Sequence, residues 1–318
     1  LDLIRNDAVL TEGFKTAQNK GLHLNISGLC DEQKGFVAAG LARTALFKPV
    51  VIVPDAARAR RAGNALAAFV DGSIVTLMPS EMSLVTAEAA SRDLELSRCV
   101  ALSKIITGDY AAAVIPAGSL LNKLNSPSEF RKRILGIRIG DSIEREKLVS
   151  HLVQNGYERT AQVTQAGEFA CRGDIADVFV PGEVQPYRIS FFDDEVDQIK
   201  SFDYETQRST EQLTEVTIVP ACVYYFDEAD RAALKDRILG RCREDISRMN
   251  PESHDARKAA QLLERTAQSD AQKVADGVQP EGLSRWIGIT IDNPASVLEY
   301  FEDGSAMLFA DAMNEIDP

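Results

Sequence analysis

The sequence predicts an α/β fold interrupted by a smaller α+β domain, and three observations carry that expectation. Short apolar runs alternate with helix-period segments through roughly the first 125 residues. Beyond Leu124 the texture becomes rich in strands with polar–apolar alternation, and after Pro220 two long polar helices and two further apolar runs follow. Strand–helix alternation implies right-handed βαβ crossovers and a parallel sheet covered by helices. Residue-by-residue alternation implies an antiparallel sheet with one face in water.

The elements follow in order. Leu22, Leu24 and Ile26 alternate with His23 and Asn25 as a strand, which Ser27-Gly28 ends. Residues 31–47 carry Phe36, Val37, Leu41, Ala45 and Leu46 near helical spacing, and Lys48-Pro49 stops that helix. Val50-Val51-Ile52-Val53 is wholly apolar, as strands buried on both faces are. Next come a helix over 55–69, a strand Ser73–Leu77, a helix over about 86–106 and a strand Ala111–Ile115. Asn125-Ser126-Pro127-Ser128 is a linker-like break. A helix near 142–155 leads into strands at Glu168–Val180, Gln185–Phe192, Val196–Phe202 and Leu213–Val219. Helices over 227–248 and 254–277 flank Asn250-Pro251, and strands at Gly288–Ile291 and Ala306–Ala310 close the pattern. The expected domains are 1–127 (first part of an α/β lobe), 128–220 (an α+β domain) and 221–318 (helices and strands completing the lobe). The last strand is followed by an abrupt end at Pro318, as if cut from a longer chain.

Length and composition narrow the function. The 318 residues suggest about two domains, and 45% hydrophobic with 26% charged residues is ordinary for a globular protein. Five scattered cysteines without a CxxC, and only three histidines, argue against zinc and for a reduced, cytoplasmic setting. No stretch reads as a membrane span or a signal peptide. A formal net charge of −13 argues against general attraction to nucleic acid or anionic lipid. No cofactor is expected.

Gly28-Leu29-Cys30-Asp31-Glu32-Gln33-Lys34-Gly35 stands between a strand and a helix, where a Walker A loop would stand. Gly28 and Lys34 have the spacing of G-x-x-x-x-G-K-[ST]. Gln33 replaces the glycine that lets backbone N–H groups wrap phosphates, and Gly35 replaces the Mg²⁺-holding hydroxyl. Asp31 and Glu32 add negative charge where phosphates would lie. At the other end Met307-Leu308-Phe309-Ala310 runs into Asp311-Ala312, a Walker B position with its second carboxylate missing. Read singly, each is a chance spacing or a surface Asp. Together they read as the relic of a degenerate P-loop lobe.

The most specific text lies in the middle of the chain. Tyr157-Glu158-Arg159, then Gly167-Glu168-Phe169-Ala170-Cys171-Arg172-Gly173-Asp174-Ile175-Ala176-Asp177, continues into Pro186-Tyr187-Arg188-Ile189-Ser190-Phe191-Phe192-Asp193-Asp194-Glu195 and Phe202-Asp203-Tyr204-Glu205-Thr206-Gln207-Arg208. In that order these motifs resemble the domain through which UvrB and the bacterial transcription-repair coupling factors (the Mfd family) contact UvrA. Over essentially the whole chain the resemblance is to the N-terminal UvrB-homology module of the coupling factors. UvrB itself has a working Walker A loop and an aromatic hairpin that clamps damaged DNA. Here residues 78–110 hold Tyr110 as their one aromatic, too few to stack on bases. The resemblance therefore implies a RecA/helicase-like lobe without chemistry, interrupted by a UvrA-binding domain, and lacking the family's motor.

Carried over by motif position, the UvrA-contacting arginines fall on Arg159 and Arg172, while a further family arginine is replaced by Ala170. Glu168 and Phe169 beside them are expected to add a polar rim and an apolar contact, with both arginines on one exposed face. From Arg131 to Arg172 eight basic residues face five acids, a local +3. The plainer alternative has Arg159 and Arg172 solvated, or paired with Glu158 or Asp174. Asp193-Asp194-Glu195 reads as a solvated turn. Three functions compete: a module recruiting UvrA, an ATP-dependent UvrB-like enzyme, and a lid masking the UvrA surface against the motor and C-terminal domains of its own parent chain. Direct nucleic-acid binding is not expected.

Overall fold

A computed structural model describes residues 31–43, 48–80, 92–225, 231–250, 252–277, 280, 283–291, 293–301 and 306–309, with 8, 11–13, 15 and 16. The expected first strand at 22–26, Gly28 and Asp311 lie outside the described residues. The helices are α1 (Asp31–Arg43), α2 (Ala56–Ala67), α3 (Arg92–Thr107), α4 (Arg145–Gln154), α5 (Arg231–Ser247) and α6 (His254–Ala275), with shorter helical turns between some of them. The strands are β1 (Pro49–Val53), β2 (Ile74–Thr76), β3 (Ala112–Pro116), β4 (Leu135–Arg138), β5 (Glu158–Arg159), β6 (Glu168–Arg172), β7 (Ile175–Val178), β8 (Tyr187–Phe192), β9 (Glu195–Phe202), β10 (Ser209–Leu213), β11 (Glu215–Ile218) and β12 (Ala306–Phe309). By packing, the chain divides into two compact units, a grouping distinct from the composition-based boundaries at 127 and 220.

The first unit gathers described residues within 1–79, 104–122 and 297–318. Its sheet has the order β12-β1-β3-β2, and every pairing is parallel. β1 and β3 are buried along their whole length, which is why their sequences are unbroken apolar runs. Ala38 and Ala39 of α1, and Ala59 and Leu66 of α2, pack on Val51, Val53, Ala112 and Val114. Small residues let the layers approach: a Cβ on Gly35 would lie 3.5 Å from that of Ala65, and one on Gly63 would lie 3.1 Å from the Thr76 hydroxyl. Asp55 caps α2 by accepting the Arg58 N–H at 2.7 Å. Tyr110 is buried against Phe301, ring centroids 5.9 Å apart, with the Lys48 ammonium 5.0 Å from its own. That aromatic therefore packs within the unit.

The second unit gathers described residues within 80–103 and 123–296. Its sheet has the order β10-β9-β8-β7-β6-β5, parallel between β5 and β6 and antiparallel elsewhere. β4 and β11 form a separate antiparallel pair. One sheet face is filled by Phe169, Ala176, Val178, Ile189, Phe191 and Ile199, packed with Leu148 and Leu152 of α4, Leu96 of α3 and Ile137 and Val216 of the pair. Alternation in the sequence reports this arrangement directly.

Three expectations change. The run Glu168–Val180 is two strands, because Gly173 takes a φ of 55° and turns the chain at Gly173–Asp174. The polar stretch 203–211 is a turn followed by the start of β10. Asp203 builds the turn by accepting the Thr206 N–H at 2.7 Å, and β10 is an exposed edge strand with no apolar face to announce it. The strand expected at Gly288–Ile291 is instead a helical turn, Ile287–Thr290, after a 3₁₀ turn Leu283–Trp286. Buried Trp286 anchors that segment by donating its indole N–H to Asp270 of α6 at 2.8 Å.

Candidate protein-interaction edge

The edge formed by β5 and β6 is built from the end of α4 onward. Gly156 has a φ of 79°, and a Cβ there would stand 2.6 Å from the Cys222 Cβ, so glycine is required where the chain leaves the helix. Tyr157 follows, buried in the core with its hydroxyl donating to the Val219 carbonyl at 2.6 Å. Glu158 and Arg159 then pair with Glu168 and Phe169, closed by Glu158 N–H to Gly167 O and Thr160 N–H to Phe169 O, both 2.9 Å.

Glu168 organises the loop between the two strands. Its carboxylate accepts the N–H of Thr164 (2.7 Å) and of Gln165 (3.0 Å), the Thr164 hydroxyl (3.1 Å) and the Gln165 amide (3.2 Å). Buried and satisfied in this way, it holds the loop and offers no rim to a partner. Phe169 is 0% exposed and belongs to the core. The expectation that these two supply surface contacts is therefore corrected: a charged residue in the motif serves a buried loop anchor, and its aromatic neighbour serves packing.

Arg159 and Arg172 are both exposed, but not on one face. Arg159 stands opposite Phe169 in register, on the side of Cys171; Arg172 is three residues further along β6, on the other side. The surroundings agree. Burial pushes the Cys171 thiol up, and the nearby charges of Arg159 and Arg145 offset part of that rise. Arg172 instead donates to the Ala161 carbonyl of the loop. The two guanidinium groups thus straddle the sheet edge. Neither has an acidic partner among the described residues, since Asp174 is taken by Arg145 at 3.7 Å.

The local +3 is not a continuous patch. Lys132 pairs with Glu129, Arg138 with Glu215 at 2.7 Å, and Lys147 with Glu144 at 2.8 Å. Arg133 lies over the Tyr225 ring, 3.7 Å from its centroid. Uncompensated charge is left at Arg159 and Arg172. Arg145 is the neighbour the sequence did not single out: it reaches from the first turn of α4 to the Gly173 carbonyl, 28 residues away, at 2.5 Å. No local pattern signals such a contact.

Of the positions that the sequence suggests as a Walker A relic, Lys34 lies within α1, which begins at Asp31, and the neighbouring Gly35 faces α2. Among the described residues no group of three or more His, Cys, Asp or Glu is arranged to hold a metal, and no helix is long and apolar enough to cross a membrane.

Residues 135–224 match the UvrB interaction domain family. The chain is 26% identical over 315 residues to the transcription-repair-coupling factor of Bacillus subtilis, covering 97% of this chain and 26% of that protein. It is 26% identical over 253 residues to the transcription-repair-coupling factor of Escherichia coli, covering 79% of this chain and 20% of that one. The Haemophilus influenzae protein of the same name is 28% identical over 179 residues, 56% of this chain and 16% of its own length. The chain thus spans about a quarter or less of these relatives.

Proposed function

We propose that this chain, a UvrB-homology module of the transcription-repair-coupling-factor kind, is a binding module that recruits UvrA to begin nucleotide excision repair at stalled RNA polymerase. The observation that carries the reading is the β5–β6 edge inside the matched domain, where two exposed arginines lack acidic partners within the described chain. Arginine suits this task because its planar fork holds a carboxylate through two parallel hydrogen bonds. A partner presenting acidic groups on both sides of a narrow edge would engage both.

The module performs no nucleotide chemistry of its own. Support comes from Gln33 and Gly35 at positions that phosphate and Mg²⁺ binding require to be glycine and hydroxyl. The UvrB-like enzyme reading is the weaker for the same substitutions. The direct experiment is capture of purified UvrA by the immobilised chain, with saturable binding expected and an empty bait contradicting the proposal.

A further inference from the structure

We propose that the UvrA contact extends from Arg172 across the open face of the six-stranded sheet to Ile175 and Phe192, which form its apolar anchor. This rests on the recruitment reading and adds what that reading lacks. Charged contacts steer and orient association as well as contributing energy, and a protein interface also takes in aromatic side chains that become fully desolvated at its core. Phe169 cannot serve, being enclosed in the core.

The register supplies the alternative. Arg172, Ile175, Ser190 and Gln198 are successive partners across β6, β7, β8 and β9, so they form one row on one face. Phe192 lies two residues beyond Ser190 along β8, on the same face and diagonal to Ile175. Phe192 is 74% exposed and Ile175 is 38% exposed, while Ile189 and Phe191, at the alternate positions of β8, point into the core. Elsewhere this face has a cover: Val163 of the 160–167 loop packs on Ala170, Phe179 and Phe202, and Tyr204 stacks beside Phe179. The loop's Ala161 carbonyl is held by Arg172.

Charge along the face defines the partner. Asp177 and Arg188 neutralise each other through two hydrogen bonds of 2.7 and 2.8 Å. Arg172 and Lys200 have no acidic partner among the described residues, so the middle of the face is positive. The β8–β9 turn beyond Phe192 carries Asp193, Asp194 and Glu195. The complementary UvrA surface is therefore acidic over Arg172 and Lys200, recessed and apolar over Phe192, and basic beyond the turn.

The experiment is an affinity series on the whole chain with UvrA, using Phe192→Ala, Ile175→Thr and the double variant Arg159→Ala/Arg172→Ala. Phe192→Ala should weaken binding about tenfold or more through faster dissociation, with an unchanged salt dependence. Ile175→Thr, which keeps the β-branched shape, should weaken it in the same direction and decides the matter if Phe192→Ala lowers the melting temperature. Wild-type affinity in both apolar variants, beside loss of binding in the double arginine variant, overturns this inference and leaves recruitment standing. Wild-type affinity in the double arginine variant removes Arg172 from the contact and overturns this inference, whereas no UvrA binding by the wild-type chain overturns recruitment itself. Self-association of the chain that Phe192→Ala abolishes, with UvrA affinity unchanged, assigns the face to a second copy and also overturns the inference.

Discussion

β1 and β6 are both five-residue strands, and they use their side chains in opposite ways. Every residue of β1 is buried, as in a parallel sheet covered on both faces, with β12 and β3 paired along its two edges. β6 begins buried and ends exposed: Phe169 fills the core, Glu168 ties down a loop, and Arg172 emerges into solvent. The difference decides where function can sit. A strand buried on both faces offers a partner only its ends, whereas an edge of a half-covered antiparallel sheet can present side chains along its length. In the first unit the one candidate among the described residues, Lys34, lies on helix α1 and not on the sheet. In the second the candidates are on the sheet itself.

The sharpest way to break this comparison is to attack both sides of β6. Phe169→Ala should cost about 3–5 kcal/mol, as loss of a fully buried aromatic does, read as a lower denaturation midpoint. A cost below about 1 kcal/mol would mean that the strand is not the wall of the core. Next in size, Arg188→Ala removes the partner of buried Asp177 and should destabilise by about 2 kcal/mol. Unchanged stability there would show that the pair is solvated and the face more open than described.

A smaller effect belongs to the 203–208 turn. Hydrogen bonds from the Thr206 N–H and hydroxyl, and then from the Glu205 N–H, hold the Asp203 carboxyl below the usual carboxylate range. A depressed folded-state pKa contributes stability above the unfolded value and loses it as pH falls through the folded one. Asp203→Ala should therefore lower the melting temperature slightly at neutral pH, with the difference shrinking in acid. A difference that grows in acid would contradict the sign. No effect at all is expected from nucleotide: a fluorescent ATP analogue should show no saturable binding, and a micromolar dissociation constant would revive the enzyme reading.

Much of this architecture was legible in the sequence because burial leaves periodic traces. The unbroken runs of β1 and β3, and the alternation in Tyr187–Phe191, each follow from how many faces a strand buries. β10 was illegible because Ser-Thr-Glu-Gln-Leu is polar on both sides, as edge strands often are. The turn at Gly173–Asp174 was hidden inside a continuous apolar–polar pattern. At the candidate edge, motif position located the two exposed arginines. It could not tell that Glu168 is consumed by Thr164 and Gln165, nor that Arg159 and Arg172 fall on opposite faces. The second fact depends on the parallel register between β5 and β6, and the twelve residues between the two arginines do not encode it locally.

The central claim is that the β5–β6 edge is the UvrA contact, and equilibrium titration of UvrA with the wild-type chain and with Arg159→Ala/Arg172→Ala tests it most directly. Two exposed arginines contribute little to stability, so the double variant should melt with the wild type. It should nonetheless lose about 2 kcal/mol or more of binding free energy, a weakening of about thirtyfold or more that leaves most UvrA unbound at concentrations just sufficient to saturate the wild type. Unchanged affinity in a normally folded double variant would contradict the account.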